Sequence, residues 1–228
     1  MPVIITAMLI KYPKNTTMKK LLYLACIAVT ALAGCSKSSN PPLTPLPTSV
    51  TINGTAYPIV LINGQTWTTV NYNGPGGVNY DDSLVNTPAD GKLYTVAEAQ
   101  AINLPAGWHL PTAADYNQML QSLGGNELGT TGNYSVTQNV AVQLMSTTGW
   151  TGTEGNDNIG FNARPVGYYS GPGAQFERAG TDAFFIIDTS PANSTIPLSL
   201  DVSLNQTAVN HYSDGTDNRM SVRFVKDN

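Results

Sequence analysis

No cysteine occurs after residue 35; the chain's two cysteines are Cys26 and Cys35. A disulfide framework, a thiolate zinc site and a cysteine nucleophile are therefore excluded from the larger part of the protein. Charge is also scarce. Asp, Glu, Lys and Arg make up 11% of the residues, against ~25% in ordinary globular proteins. Asn, Thr, Ser and Gly fill the gap, which favours turns, loops and strands over long surface helices. Histidine appears twice, as His109 and His211, and a catalytic triad would have to use one of them. There is no Gly-x-Ser-x-Gly elbow and no His-x-x-x-His pair for zinc. Basic residues are few and poorly placed for a polyanion. Lys11, Lys14, Lys19 and Lys20 precede the apolar segment, and after Cys35 seven basic residues stand against fifteen acidic ones, a net charge near −8. Nucleic acid is repelled by such a surface and is not an expected partner.

Long apolar runs are missing too. Leu21 to Ala33 is free of charge for 13 residues, short of the ~20 that span a bilayer. Preceded by Met18-Lys19-Lys20, it matches the apolar core of a secretory signal. The closing Leu32-Ala33-Gly34-Cys35 resembles the lipobox of bacterial lipoproteins. That resemblance implies a diacylglyceryl thioether on Cys35, cleavage before it, and an outer membrane lipoprotein on the periplasmic or the cell-surface face. An ordinary signal peptide with an incidental Cys35 is the competing reading. Residues 1–35 are thus the signal segment, with Met18 the better start than Met1. Residues 36–49 carry Pro41, Pro42, Pro45 and Pro47 among polar residues and read as a tether that cannot pack a core. Residues 50–228 form the displayed domain.

That domain opens as a β-meander. Val50 to Ile52 and Tyr57 to Ile62 flank Asn53-Gly54, and Asn63-Gly64 leads into Thr66 to Tyr72. Asn-Gly is a strong hairpin signal because both residues tolerate positive φ. Thr95-Val96-Ala97-Glu98 is a capping box opening a short helix that Pro105 ends. Thr112 caps a second helix to about Leu123, with Tyr116, Met119, Leu120 and Leu123 on one face and Gly124-Gly125 as its stop. A weaker helical pattern covers Val136 to Met145. Strands are expected at Ala183 to Asp188, Ile196 to Leu204 and Met220 to Val225. Strands, then helices, then strands indicate an α+β fold: loop-rich antiparallel sheets with two or three short helices.

Several phrases together carry a resemblance. They are Ile62-Asn63-Gly64-Gln65-Thr66-Trp67, Gly91-Lys92-Leu93-Tyr94-Thr95, Leu104-Pro105-Ala106-Gly107-Trp108-His109-Leu110-Pro111-Thr112, Asp115-Tyr116, Asn158-Ile159-Gly160-Phe161-Asn162-Ala163-Arg164-Pro165-Val166-Gly167 and the closing Ser221-Val222-Arg223-Phe224-Val225-Lys226-Asp227. In this order and spacing they resemble the Fibrobacter succinogenes major paralogous domain (FISUMP), over about residues 55–228. The Gly-Trp-His-Leu-Pro-Thr phrase is also similar to one in formylglycine-generating-enzyme-like domains, which implies a C-type-lectin-like fold. Phe224 stands where family members often carry Cys, and Ala183-Phe184-Phe185 where they often show Trp-Ser-Ser. The thiol-dependent chemistry of formylglycine-generating enzymes has no residues to carry it here.

Candidate sites are correspondingly few. Glu154, Asn156, Asp157 and Asn158 form an oxygen-rich loop that could contribute to a calcium site, as could Asp214 to Asn218; calcium wants six to eight oxygens, and such clusters are more often plain turns. Tyr168 and Tyr169 are candidate ligand-binding aromatics, with Tyr72, Tyr80 and Trp150 in similar Gly- and Asn-rich surroundings. Trp67 and Trp108 read as core, and His109 as a packing and hydrogen-bonding residue. No catalytic set is expected. The favoured function is a membrane-tethered, non-catalytic binding or adhesion module for glycan or protein. A structural subunit of an envelope complex and a carboxylate-dependent hydrolase are the rival readings.

Overall fold

The two Asn-Gly pairs turn the chain as their chemistry requires. Asn53 and Gly54 have φ of 47° and 80°, and Asn63 and Gly64 have 46° and 82°, the double positive φ of a two-residue hairpin loop. They join strands β1 (Ser49–Ile52), β2 (Thr55–Ile62) and β3 (Gln65–Thr68). Ile52 pairs with Thr55 and Ile62 with Gln65 across the turns. The computed structural model describes residues 47–82, 87–125, 140–171, 173–188, 197–201, 206–209 and 217–228. Met18, Cys35, His211 and most of the expected tether lie outside them.

The expected capping box at Thr95 is present, and the expected cap at Thr112 is a second capping box. Thr95 caps helix α1 (Val96–Gln100) and exchanges bonds with Glu98; Thr112 caps α2 (Ala113–Ser122) and exchanges them with Asp115. Short strands precede each: β4 (Leu93–Tyr94) and β5 (Trp108–His109). Helix α3 (Val140–Leu144) occupies part of the third expected helix. The hairpin β6 (Tyr168–Ser170) and β7 (Gln175–Glu177) follows, then β8 (Asp182–Ile186), β9 (Pro197–Asp201), β10 (Gln206–Val209), β11 (Met220–Ser221) and β12 (Val225–Asp227). One sheet runs β1-β2-β3-β12-β5 and a second β10-β9-β8-β11-β4. Among the described strands, pairing is antiparallel except between β8 and β11. The fold is α+β, rich in sheet and poor in helix.

The strand expected over Met220 to Val225 is two strands, one in each large sheet. The reason is Arg223, fully buried where the chain crosses between sheets. Its Nε donates to Asn71 Oδ1 at 2.7 Å, Nη1 to the carbonyls of Thr68 and Phe161 at 2.7 and 2.8 Å, and Nη2 to that of Asn162 at 2.9 Å. These bonds satisfy the carbonyl at the end of β3 and those of Phe161 and Asn162 in a segment outside the sheets. They also shorten β3, expected to reach Tyr72, to end at Thr68. Side chains then alternate between the cores: Val222 and Phe224 join one cluster and Val225 the other. Strand β8 does the same, sending Phe184 to one cluster and Phe185 to the other, so all five of its residues are buried.

Among the described residues no helix is long and apolar enough to cross a membrane.

Candidate functional site: an open groove beside Trp108 and a polar cluster behind it

Alternation along the first sheet sends adjacent residues to opposite faces. Leu61, Thr66, Lys226 and Trp108 are consecutive partners across β2, β3, β12 and β5. They form one row on one face. On that face burial falls along β2: Tyr57 is buried, Ile59 partly buried, and Leu61 is 62% exposed. The covering core therefore stops short of the row. What remains is a groove of about 570 Å³ lined by Ile59, Leu61, Thr66, Trp108, Lys226 and Asn228, among others. Trp67 is fully buried, as its phrase implied. Trp108 is not: it packs on the edge of a core cluster and keeps a partly open ring in the groove. The expectation that Trp108 is a core residue holds only in part: it stands on the edge strand β5, partly buried against the cluster.

The opposite face carries Val60, Trp67 and Val225, with His109 next in the row. One step along, Gln65 and Asp227 are partners. At that end the first turn of α2 brings in Asp115. His109 Nε2 lies 3.3 Å from Asp115 Oδ2. Gln65 Nε2 donates to Asp115 Oδ1 at 2.7 Å and to Asp227 Oδ1 at 3.2 Å. Thr112 donates to Asp115 Oδ2 through its backbone N–H at 2.7 Å and its hydroxyl at 2.6 Å. His109 is thus a hydrogen-bonding residue, as expected from its place in Trp-His-Leu-Pro. The sequence did not single out its union with Asp115 and Asp227; only the capping box Thr112-x-x-Asp115 hinted at one of the bonds.

The two tyrosines named from sequence separate. Tyr168 is buried, its ring 5.0 Å from that of Phe184 and its hydroxyl donating to Glu177 Oε2 at 3.1 Å. Its body serves the core. Tyr169 faces a second cleft of about 420 Å³ with Val78, Gly171, Phe176, Asp217 and Arg219. Phe176 packs between Tyr169, edge to face, and Tyr80, tilted, with ring centres at 5.0 and 5.1 Å. Burial disfavours ionisation of Glu98, but Arg219 and the Thr95 cap outweigh it and hold that carboxyl below its ordinary value. Tyr72 is buried, and so is Trp150, whose Nε1 donates to Ser146 Oγ at 3.0 Å.

Two side-chain oxygens of the oxygen-rich loop accept hydrogen bonds within the turn. Asn156 Oδ1 accepts from the N–H of Asn158 at 3.3 Å, and Asp157 Oδ1 from that of Asn162 at 2.7 Å. Burial raises the carboxyl of Asp157 above its ordinary value, against the pull of Asn162 and Arg223. Glu154, Asn156 and Asn158 stand exposed. Of the other loop, Asp217 lines the Tyr169 cleft, and Asn218 Oδ1 accepts from the N–H of Gly171 at 2.9 Å.

The phrases shared with the family are largely the scaffold of this arrangement. Gly160-Phe161-Asn162 and Ser221-Val222-Arg223 meet in the buried guanidinium, and Trp108-His109 with Lys226-Asp227 make the groove on one face and the polar cluster on the other. No curated protein and no solved structure matches the chain. A family model does, over residues 51–226, and the chain accordingly belongs to the Fibrobacter succinogenes major domain family.

Proposed function

We propose that the protein is a lipid-anchored cell-envelope module that binds an extended ligand, a glycan chain or a peptide, in the groove beside Trp108, without catalysing a reaction on it. The observation that supports this most is the uncovered row Leu61-Thr66-Lys226-Trp108. Concave, mainly apolar surfaces with a few placed polar groups are the usual form of a binding site. A half-open indole offers a stacking face, and Thr66, Lys226 and Asn228 offer hydroxyl, ammonium and amide. The similarity of the Gly-Trp-His-Leu-Pro-Thr phrase supports, for the proposal, a C-type-lectin-like arrangement in which loops and an open sheet edge carry the ligand.

A second reading places the ligand at Tyr169, whose cleft sets two edge-to-face aromatics beside Asp217 and Arg219. Titration of the full chain against a panel of envelope glycans and against envelope protein extracts separates the readings. The groove is supported if Trp108→Ala loses binding and Tyr169→Ala keeps it; the reverse outcome moves the site to the cleft. Binding to protein alone, through the same residues, favours the assembly subunit. Repeating the titration with calcium tests a role for Glu154 to Asn158.

A further inference from the structure

We propose that His109, Asp115 and Asp227 form a site for a divalent transition-metal ion of the zinc class. The site is independent of the groove, on the other face of the sheet. One imidazole nitrogen and two carboxylate oxygens from these residues lie within 4.8 Å of one another. His109 and Asp115 stand six residues apart on the neighbouring elements β5 and α2, and the tertiary fold brings in Asp227 from β12. The separation of His109 Nε2 and Asp115 Oδ2 is 3.3 Å. Two ligands on a tetrahedral ion with bonds of ~2.0–2.1 Å stand ~3.3–3.4 Å apart. The observed pair has that spacing; enclosing an ion requires Asp227 and the bridging Gln65 amide to reorient.

Gln65 gives a second and separate indication. Its side chain is buried, at 1% exposure, and its Oε1 has no hydrogen-bond partner. Its Nε2 donates to both carboxylates. A half-turn of that amide exchanges nitrogen for oxygen and brings an oxygen against the two carboxylates. Only a cation between them makes that orientation favourable, and the oxygen then becomes a fourth ligand. Among the described residues no lysine or arginine forms an ion pair with Asp115 or Asp227. A metal ion supplies the missing positive charge.

The surroundings suit such an ion. The N–H and hydroxyl of Thr112 fix the Asp115 carboxylate from behind, as outer partners orient metal ligands. The His109 side chain is 36% exposed, which leaves a route from solvent. An imidazole and few oxygens select zinc-like ions over calcium.

Calorimetric titration of the metal-stripped full chain with Zn2+ alone, at neutral pH, tests the site. Single-site binding is expected, with a rise in the thermal midpoint. His109→Gln and Asp227→Asn should each weaken it by about tenfold or more. X-ray absorption of the zinc-loaded wild type keeps the test decisive if a variant misfolds: imidazole nitrogen and oxygen in the first shell are expected. Sulfur in that shell places the ion on Cys26 or Cys35. That result, an absence of binding, or unchanged affinity in both folded variants overturns the proposal.

Discussion

Arg223 sets its guanidinium carbon 4.9 Å from the centre of the Phe161 ring while its Nη1 donates to the carbonyl oxygen of the same residue at 2.8 Å. One residue thus receives the cation on its ring and on its backbone. Phe185 flanks the guanidinium at 5.4 Å, and Asn71, Thr68 and Asn162 complete its partners. Burial pushes its pKa down to about 9, so the group keeps its charge at neutral pH. Removing the guanidinium strands four acceptors in the interior. Breaking a buried charged network from one side costs ~3–5 kcal/mol, a large share of the ~5–15 kcal/mol that holds a domain folded. Arg223→Met should lower the urea midpoint accordingly. Arg223→Lys should recover little, because a single ammonium cannot reproduce the planar fork. A lysine variant with wild-type stability would show that the charge matters and the fork does not.

Acid should weaken the junction of α1 with β11. Glu98 is paired with Arg219 and with the Thr95 cap, and its carboxyl sits below the ordinary 4.5. A carboxyl depressed on folding adds stability that is complete above its unfolded value and disappears as pH falls through its folded value. The difference in urea midpoint between wild type and Glu98→Gln should therefore be largest near neutrality and close as the pH falls below ~4.5. A difference that stays constant down to pH ~3 would contradict the linkage.

Local chemistry made much of the fold legible. The Asn-Gly turns, the Thr95 capping box, the Thr112 cap and the apolar stripe of α2 act within a few residues, and each is where the sequence places it. What the sequence hid is non-local. The alternation from Met220 to Lys226 reads as one strand because side-chain period does not report which sheet a strand joins; the buried Arg223 in its middle was the available sign of a crossing. Trp108 and Trp67 sit in similar phrases, yet one is on an edge strand and the other is central. Tyr168 and Tyr169 are neighbours whose fates differ by the face of β6 they take. Asp115 and Asp227 are 112 residues apart in the chain, and no local pattern announces that one amide bridges them.

The lipid anchor rests on Cys35, which lies outside the described residues. Cys35→Ala should move the protein from the membrane fraction to the soluble or unprocessed one, read by detergent partitioning with a folded control. Identical partitioning of variant and wild type would remove the anchor from the proposed function and leave the groove untouched.

Truncating Trp67 and Trp108 should give opposite results. Trp67 is fully buried, in contact with Tyr116 and Phe161 at 5.2 and 5.7 Å between ring centres. Loss of such a side chain costs ~3–5 kcal/mol, so Trp67→Ala should give an unstable or insoluble domain. Trp108 loses less on truncation because part of its ring is already in solvent and the hydrophobic gain scales with area removed from water. Trp108→Ala should fold, with a smaller drop in urea midpoint, and lose ligand binding at the groove. Tyr169→Ala should fold equally well and keep that binding. If Trp108→Ala instead destabilises the domain as much as Trp67→Ala does, the indole is holding β5 and the entry to α2 in place, and the binding surface must be sought at Tyr169.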